Sequence, residues 1–270
     1  MGRVERLLGV SAVNTGKKLY REKTINAGTR ALFDMSLDGF GGAADVVAGG
    51  EIKSLSYEDA VGVFNKPHAY SNGGMIYART ANDGFDLPSE ASPQPGDRHW
   101  LFTTWLKITN PGNAGFNNQV MHFATSGLNV PASTMLSLVP TVVVTDDVTS
   151  VTTIEMRVRA KNIVLTSQLK PLFDGAVHQL AVENEMSADF TQQRIFVYLD
   201  KSLIYSSGWV SAAAAAPEAP TIRRVGSSSS MPVTWGGTLY RVRSEDLTLT
   251  TLTAAEIAVS DYDNSRSRFS

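Results

Sequence analysis

Two alternating glutamates are the residues of this chain whose type and spacing come nearest to a chemistry of their own. Hydrolysis of a glycosidic bond needs two carboxyl groups, one on each side of the scissile bond. Glu183 and Glu185 would point to the same face of a β-strand. The run Met186-Ser187-Ala188 follows them without a third carboxylate in the alternation. We therefore predict that the chain is not a glycosidase.

Other side chains with catalytic potential are scattered along the sequence. The four histidines, His68, His99, His122 and His178, have no zinc-type spacing, and no serine stands in a nucleophile-elbow context. The chain has no cysteine, which leaves neither thiolate chemistry nor disulfides. His178 falls within a predicted strand, where a packed structural role is expected. Together these features predict a protein without enzymatic activity.

Calcium is the one cofactor for which the sequence offers ligands. It prefers six to eight oxygen ligands, and carboxylates that could supply some of them occur at Asp83 and Asp86, and at Asp261 and Asp263. Further oxygen donors are Asp146, Asp147 and Asn264. Asp and Asn are also the ordinary residues of β-turns, so a purely structural role is the alternative. No other cofactor is expected.

A sugar-binding surface is the second candidate site. Recognition of a sugar needs aromatic rings and polar side chains that converge on an exposed face. Candidates on neighbouring predicted strands are Tyr198, Phe196, Arg157, Arg159, Gln179 and Glu183. The alternative is that these aromatic residues are covered by loops and only pack.

The elements that would position these residues are short alternating strands. In Val177–Glu183 and Arg194–Leu199, apolar residues take every second position, which predicts one dry face and one wet face for each strand. Asp200-Lys201-Ser202 then forms a turn, and 203–205 returns as the next strand. The dry face predicts a core beneath this hairpin, and the opposite face carries Phe196 and Tyr198.

The rest of the chain follows the same pattern. About a dozen strand candidates, among them 100–108, are separated by Gly-, Pro- and Asn-rich turns, which is typical of a β-sandwich or jelly roll. The first and last strands are expected to pair in one sheet. Leu239 and Val242 lie three positions apart in an otherwise extended run, which predicts a β-bulge. Thr253 and Glu256 fit a capping box, which predicts one short helix over 254–260.

Charge divides the chain unevenly. The net charge is −2, but residues 1–30 carry seven basic and two acidic side chains, a local charge of +5. We predict three parts: a basic N-terminal arm (1–30), a β-sandwich (31–260) and a polar C-terminal tail (261–270). The arm would anchor the protein to a partner through Arg3, Arg6, Lys17, Lys18, Arg21 and Lys23.

The overall composition argues against two classes of partner. A mildly acidic chain generates no field that would attract nucleic acid. No apolar run approaches the length that a membrane span needs. The apolar stretch 7–13 is short and interrupted by Ser11, so no signal peptide is expected.

The order of these pieces resembles the concanavalin A-like lectin/glucanase family in its laminin G-like form, over most of residues 31–260. The resemblance implies an antiparallel β-sandwich with jelly-roll connections and a short C-terminal helix, which the extended N-terminal arm would precede. It is carried by 77–88 (strand, turn, strand), 100–107 (a tryptophan-bearing strand), 174–200 (paired central strands), 225–226, and 235–257 (closing strand and helix).

Chains that combine such a domain with a terminal arm also resemble accessory structural proteins of bacteriophage particles. This likeness implies a non-enzymatic virion decoration protein that is located in the virus particle and synthesised in the host cytoplasm. An extracellular location is the alternative. Its partners would be other virion proteins or sister copies in a homo-oligomer. The alternative is a carbohydrate-binding module for surface attachment, and a glycosidase of the same fold is the third possibility.

Overall fold

The computed structural model describes residues 22–56, 60–115, 118–125, 133–146, 148–212, 218–228 and 233–269. The arm residues Arg3, Arg6, Lys17, Lys18 and Arg21 and the calcium candidate Asp147 lie outside these ranges. The strands are β1 (Thr29–Asp34), β2 (Gly50–Lys53), β3 (Val61–Phe64), β4 (Tyr70–Ser71), β5 (Gly74–Ala78), β6 (Gly84–Asp86), β7 (His99–Asn110), β8 (Asn118–Gln119), β9 (Met121–Ala124), β10 (Thr134–Thr145), β11 (Val148–Val158), β12 (Lys161–Val164), β13 (Val177–Met186), β14 (Gln192–Leu199), β15 (Ser202–Ser206), β16 (Val210–Ser211), β17 (Ile222–Gly226), β18 (Val233–Thr234) and β19 (Gly236–Asp246). The helices are α1 (Thr166–Leu169) and α2 (Ala254–Ser265).

Two antiparallel sheets form a sandwich. The first sheet has the order β15-β14-β13-β7-β19-β5-β4, with β1 also pairing with β19 and β16 with β14. The second has the order β12-β11-β10-β9-β17-β6-β3-β2. The pairing of β1 with β19 joins the first and last strands, as the sequence predicts. The predicted all-β sandwich with a short C-terminal helix is therefore confirmed.

The core lies between the two sheets and uses the alternate residues of each strand. Leu180, Val182, Ile195 and Val197, the predicted dry face of the β13–β14 hairpin, are fully buried. Phe102 of the first sheet meets Phe123 of the second edge-on, with ring centroids 4.9 Å apart. Burial of one such apolar side chain stabilises the fold by about 1.5–3 kcal/mol. This core holds the two sheets, and hence their outer faces, in fixed positions.

The strand β19 carries the predicted irregularity. Its register against β7 shifts between Leu239 and Arg241, which is a β-bulge at the place that the spacing of Leu239 and Val242 indicates. The bulge turns Leu239 and Val242 to the same core even though they are three residues apart. The three-residue spacing of Leu239 and Val242 therefore reflects the one extra residue that the bulge inserts into β19.

Helix α2 begins where the capping box predicts. The side chain of Thr253 accepts a hydrogen bond from the Glu256 backbone N–H, and the Glu256 carboxylate accepts one from the Thr253 N–H. The helix continues beyond the predicted end at residue 260 and stops at Ser265. It lies on the outer face of the first sheet, where Ile257 and Ala258 pack on Leu101 and Ala181.

A buried group of charges joins α2 to the sheet beneath it. Asp261 accepts hydrogen bonds from the indole of Trp105 at 2.6 Å and from Gln179 at 3.0 Å, and it faces Arg241 at 2.9 Å. Burial by itself raises the pKa of Asp261, but the guanidinium groups of Arg241 and then Arg243 outweigh it and lower the pKa below its usual value. The helix is therefore attached by an ion pair as well as by apolar contact.

The ends of the described chain pack against this group of charges. Arg241 donates to Asp34 at 2.9 Å, and Arg243 donates to the backbone oxygen of Thr24. Thr24 is buried, Lys23 beside it is exposed, and near the other end Phe269 is 2% exposed. The division of the chain into arm, sandwich and tail stays a prediction, but residues on both sides of its boundaries contact the sandwich. Among the described residues, no helix has the length and apolar character that crossing a bilayer requires.

Candidate functional site

Polar and aromatic side chains come together on the outer face of the first sheet, next to the part of that face that helix α2 covers. Its geometry follows from strand register, since residues directly opposite on paired strands share a face. Glu185 on β13 lies between His99 on β7 and Arg194 on β14. Glu183, one step along the same face, is opposite Phe196. We call the following group the outer-face site: His99, Glu183, Glu185, Arg194, Phe196, Tyr198 and Trp209.

Glu183 is the most constrained residue of the outer-face site. Its Oε1 lies 2.8 Å from Nε2 of His99, and its Oε2 accepts a 2.8 Å hydrogen bond from the hydroxyl of Tyr198. Burial, followed by the charge of Glu183, raises the pKa of Tyr198 well above its usual value, so the phenol keeps its proton. The Glu183 side chain is 9% exposed and that of His99 is 27% exposed. Glu183 is thus held in one orientation, and His99 is the one of its two partners that solvent can reach.

Arg194 connects the carboxylates to the aromatic rings. Its Nε lies 2.5 Å from Oε2 of Glu185. Its guanidinium carbon lies 4.7 Å from the ring centroid of Trp209 and 5.4 Å from that of Phe196, both within the range of cation–π contact. Trp209 is 45% exposed. The guanidinium therefore fixes Trp209 while leaving much of this indole open to solvent.

Three of the residues predicted for sugar binding are in this group. Tyr198, Phe196 and Glu183 share the outer face, as their alternation indicates. Gln179 lies on the same face, but helix α2 covers it: its amide nitrogen donates to the backbone oxygen of Ala258 and to Asp261. Gln179 is fully buried. It supports the helix and has no access to a ligand.

The two predicted arginines lie elsewhere, on and just after β11 of the second sheet. Arg159 is fully buried; it donates to Asn184 at 2.7 Å and to the backbone oxygens of Pro95, Gln94 and Asp97. Burial lowers the pKa of Arg159 to about 10. Arg157 is 8% exposed and lies 3.4 Å from Glu155. The prediction that Arg157 and Arg159 line one sugar-binding surface with Tyr198 and Phe196 is corrected, because both arginines are buried and Arg159 instead holds the proline-rich loop 94–97.

The calcium candidates do not gather in one place, and five of those in the described part of the chain contact a protein partner. Asp83 is buried and faces His68 at 2.9 Å, Asp86 is paired with Arg224 at 2.5 Å, and Asp263 is paired with Lys201 at 2.6 Å. Asp261 belongs to the buried charges under α2. Asn264 donates to the backbone oxygen of Ser260, and Asp146 lies in the β10–β11 turn with a left-handed backbone. Calcium binding by these residues stays a prediction.

Another set of residues could hold a cation. One ligand atom each of His99, Glu183 and Glu185 lies within 4.8 Å of the other two. The imidazole of His99 and the hydroxyl of Tyr198 already engage Glu183, and the guanidinium of Arg194 supplies the charge that Glu185 needs. The site is therefore better explained by internal pairing than by a metal.

Sequence reasoning did not predict four members of the outer-face site as ligand-binding residues, although it considered Glu185 as half of a catalytic pair. His99, Arg194 and Glu185 come from three strands and meet through the register of β7, β13 and β14, and Trp209 comes from a loop and contacts Arg194. Arg194 and Glu185 do carry a signal, since each alternates with a predicted site residue on its own strand. Neither His99 nor Trp209 has such a signal, because 84 residues separate His99 from its partner Glu183.

Comparison with known proteins identifies the fold through structure alone. No protein-family model and no curated protein matches the sequence. The chain is similar to a Trypanosoma rangeli sialidase in complex with sialic acid (TM-score 0.56, 12% identity, 89% of this chain and 34% of that one). It is also similar to a GH54 α-L-arabinofuranosidase (TM-score 0.55, 11% identity, 89% of this chain and 63% of that one). The chain thus spans about a third of the length of the sialidase.

These similarities correct two predictions from the sequence, namely a structural protein of a virus particle and a chain without enzymatic activity. The similar structures are glycoside hydrolases. At 11–14% identity they establish the β-sandwich fold only. A function in carbohydrate chemistry must therefore be argued from the side chains of this chain.

Proposed function

We propose that this chain is a carbohydrate-recognising β-sandwich of the concanavalin A-like class and that the outer-face site binds the sugar. The observation that carries the proposal is the convergence of an exposed indole, two carboxylates, an imidazole and a guanidinium on one accessible face. The sialidase and arabinofuranosidase folds support the same class of ligand.

Aromatic stacking would supply most of the binding energy. The face of an aromatic ring is electron-rich and attracts the slightly positive C–H groups of a sugar ring. Trp209 is 45% exposed and is held in place by Arg194 at 4.7 Å from its ring centroid. A fixed ring loses little conformational entropy when a ligand binds.

The polar groups would select the orientation of the sugar. Among the described residues, Oε1 of Glu185 accepts no hydrogen bond from the protein, and the imidazole of His99 is partly exposed. Both can bond sugar hydroxyls, which donate and accept equally well. Both oxygens of Glu183 are already engaged, by His99 and Tyr198, so its part in recognition is to hold the imidazole of His99.

The test is titration of the full chain with neutral and acidic oligosaccharides by calorimetry. Trp209→Ala is expected to weaken binding about fivefold, since a stacked aromatic contact contributes on the order of 1 kcal/mol. Phe40→Ala is the matched control, because Phe40 is also an exposed aromatic residue (37%) but lies outside the outer-face site. Equal affinity of the Trp209→Ala variant and the unaltered chain would exclude this surface.

Hydrolysis of the bound glycan is a second candidate function, and the two glutamates favour it. Oxygens of Glu183 and Glu185 approach within 4.8 Å of each other, and retaining glycosidases place their carboxyl groups about 5–5.5 Å apart. Glu185 has the free oxygen that attack on a sugar carbon requires. The sequence analysis rejected this pair because no third carboxylate continues the alternation, but two carboxyl groups are the minimum that the chemistry needs.

Release of a chromogenic alcohol from aryl glycosides tests the second function. If the pair is catalytic, Glu185→Gln is expected to lower kcat at least about a hundredfold while sugar affinity changes little. Glu155→Gln is the control, since Glu155 lies on the second sheet. Binding of glycans without turnover in the unaltered chain would leave recognition as the function.

A further inference from the structure

A cleft in the second sheet is lined by two consecutive arginines, Arg223 and Arg224. It has a volume of about 330 Å³ and lies where β6 and β17 pair, between Asn82 and Asp86 on one side and Thr221 on the other. None of its lining residues belongs to the outer-face site. The cleft is therefore a separate candidate site for ligand binding, and its charge differs from that of the outer-face site.

Arg224 is fixed in place and neutralised. Its Nε and Nη2 bond the two oxygens of Asp86 at 2.5 and 2.8 Å, and its Nη1 donates to the backbone oxygen of Ser227. The methylene groups of Arg224 cross Gly84 so closely that a Cβ at Gly84 would lie 2.4 Å from them. Burial by itself lowers the pKa of Arg224, but the hydrogen bonds and charge of Asp86 outweigh it and raise the pKa. This arginine therefore forms a rigid wall.

Arg223 has no such neutralising partner. Its Nε donates to the backbone oxygen of Leu87 at 3.0 Å and its Nη1 to that of Pro220 at 2.6 Å. In the part of the chain that the structure describes, no carboxylate lies within ion-pair distance of Arg223. The flanking segments 213–217 and 229–232 contain no charged residue. With Arg224 and Asp86 cancelling, Arg223 leaves one positive charge on the cleft.

We propose that this cleft binds a small oxyanion, with Arg223 supplying the charge and Arg224 the fixed wall. A guanidinium group donates in a planar fork that matches two oxygens of a carboxylate, sulfate or phosphate. The two backbone carbonyls hold the guanidinium of Arg223 in one orientation, so little entropy is lost on binding. The oxyanion is either the acidic group of a sugar or a free inorganic ion.

Titration of the full chain with sodium phosphate, sodium sulfate, glucuronate and glucose at constant ionic strength tests the proposal. Saturable binding of at least one of the three oxyanions and none of glucose is expected. Glucuronate alone would assign the cleft to acidic sugars, and phosphate or sulfate alone to a free ion. No saturable binding of any oxyanion would overturn the proposal.

Two variants tie binding to the cleft. Arg223→Gln is expected to weaken oxyanion binding tenfold or more, because a charged hydrogen bond is lost. Asn82→Asp adds a negative charge at the exposed rim of the cleft, and the side chain keeps its shape. Repulsion between this charge and the oxyanion is expected to weaken binding about fivefold. Aspartate also tolerates the left-handed backbone of Asn82 (φ 55°). Arg79→Gln, which removes an exposed arginine outside the cleft, is the control. Unchanged affinity in both cleft variants would overturn the proposal. If Arg223→Gln folds poorly, unchanged affinity in Asn82→Asp alone would overturn it.

Discussion

The hydroxyl of Tyr198 and the carboxylate of Glu183 form a 2.8 Å hydrogen bond on the outer face of the first sheet. The pair occupies adjacent strands, and Tyr198 is 6% exposed and Glu183 is 7% exposed. The nearly buried carboxylate of Glu183 is therefore stabilised by the hydrogen bond from Tyr198 and by the contact with His99, in place of water. Loss of either partner leaves a nearly buried charge with a single hydrogen bond.

Tyr198→Phe is expected to lower the free energy of unfolding by about 1–3 kcal/mol, because removal of the phenol oxygen leaves Oε2 of Glu183 unsatisfied. Urea denaturation measures the change. Tyr205→Phe is the matched control: Tyr205 is only partly buried and its hydroxyl has no hydrogen-bond partner among the described residues, so less than about 0.5 kcal/mol is expected there. Equal losses in the two variants would contradict the role of the Tyr198 bond.

The buried pair of Asp261 with Arg241 should be the most sensitive point of the helix attachment. Asp261→Asn leaves the fully buried guanidinium of Arg241 without its α2 partner, and a loss of about 3–5 kcal/mol is expected. Asp263→Asn, two residues later, breaks an exposed pair with Lys201 and should cost at most about 1 kcal/mol. Thermal unfolding compares the two variants. Similar unfolding midpoints would contradict the role of the Asp261–Arg241 pair in attaching helix α2.

His178 should make stability depend on pH. Its two ring nitrogens lie 2.7 Å from Asp200 and 3.0 Å from Asp174, so both must donate and the imidazolium is favoured. The hydrogen bond to Asp200 is the main cause that raises the pKa of His178, burial opposes it, and Asp174 adds to it. The pKa of Asp174 is lowered, because its hydrogen bonds, first from Ala176 and then from His178, outweigh burial. Asp174 therefore stays charged through mild acid.

Because the folded pKa of His178 lies above the unfolded value of about 6.5, its contribution to stability is complete below that pH. It is lost as the pH rises through the raised pKa. The difference in unfolding free energy between the unaltered chain and His178→Gln is expected to be large near pH 5.5 and to vanish above the raised pKa. A difference that is constant from pH 5 to 9 would show that His178 acts through packing alone.

The capping box at the start of α2 predicts a smaller, local effect. Thr253→Ala removes the acceptor of the Glu256 N–H, and a loss of about 1 kcal/mol is expected. Hydrogen exchange in the first turn of the helix should accelerate as well. Thr251→Ala changes an exposed threonine outside the box and serves as the control, for which neither change is expected.

The sequence by itself determined the features that depend on neighbours along the chain. Alternation in β13 and β14 assigned Leu180 and Val197 to the core, and the spacing of Thr253 and Glu256 placed the helix start. These features are local because the strand period is two residues and a capping box closes within one helical turn. The extra residue in the alternation of β19 was readable for the same reason.

Tertiary structure alone decided which faces meet and which side chains share them. An alternating strand shows that a residue is on one face or the other but not what covers that face. Helix α2 therefore buried Gln179 while Glu183, on the same face of the same strand, kept an accessible neighbour in His99. Arg159 was predicted to line the sugar-binding surface because the carbonyls of Gln94 and Pro95 that accept its hydrogen bonds lie more than 60 residues away in sequence. Partners so distant in sequence meet only after the sheets have formed.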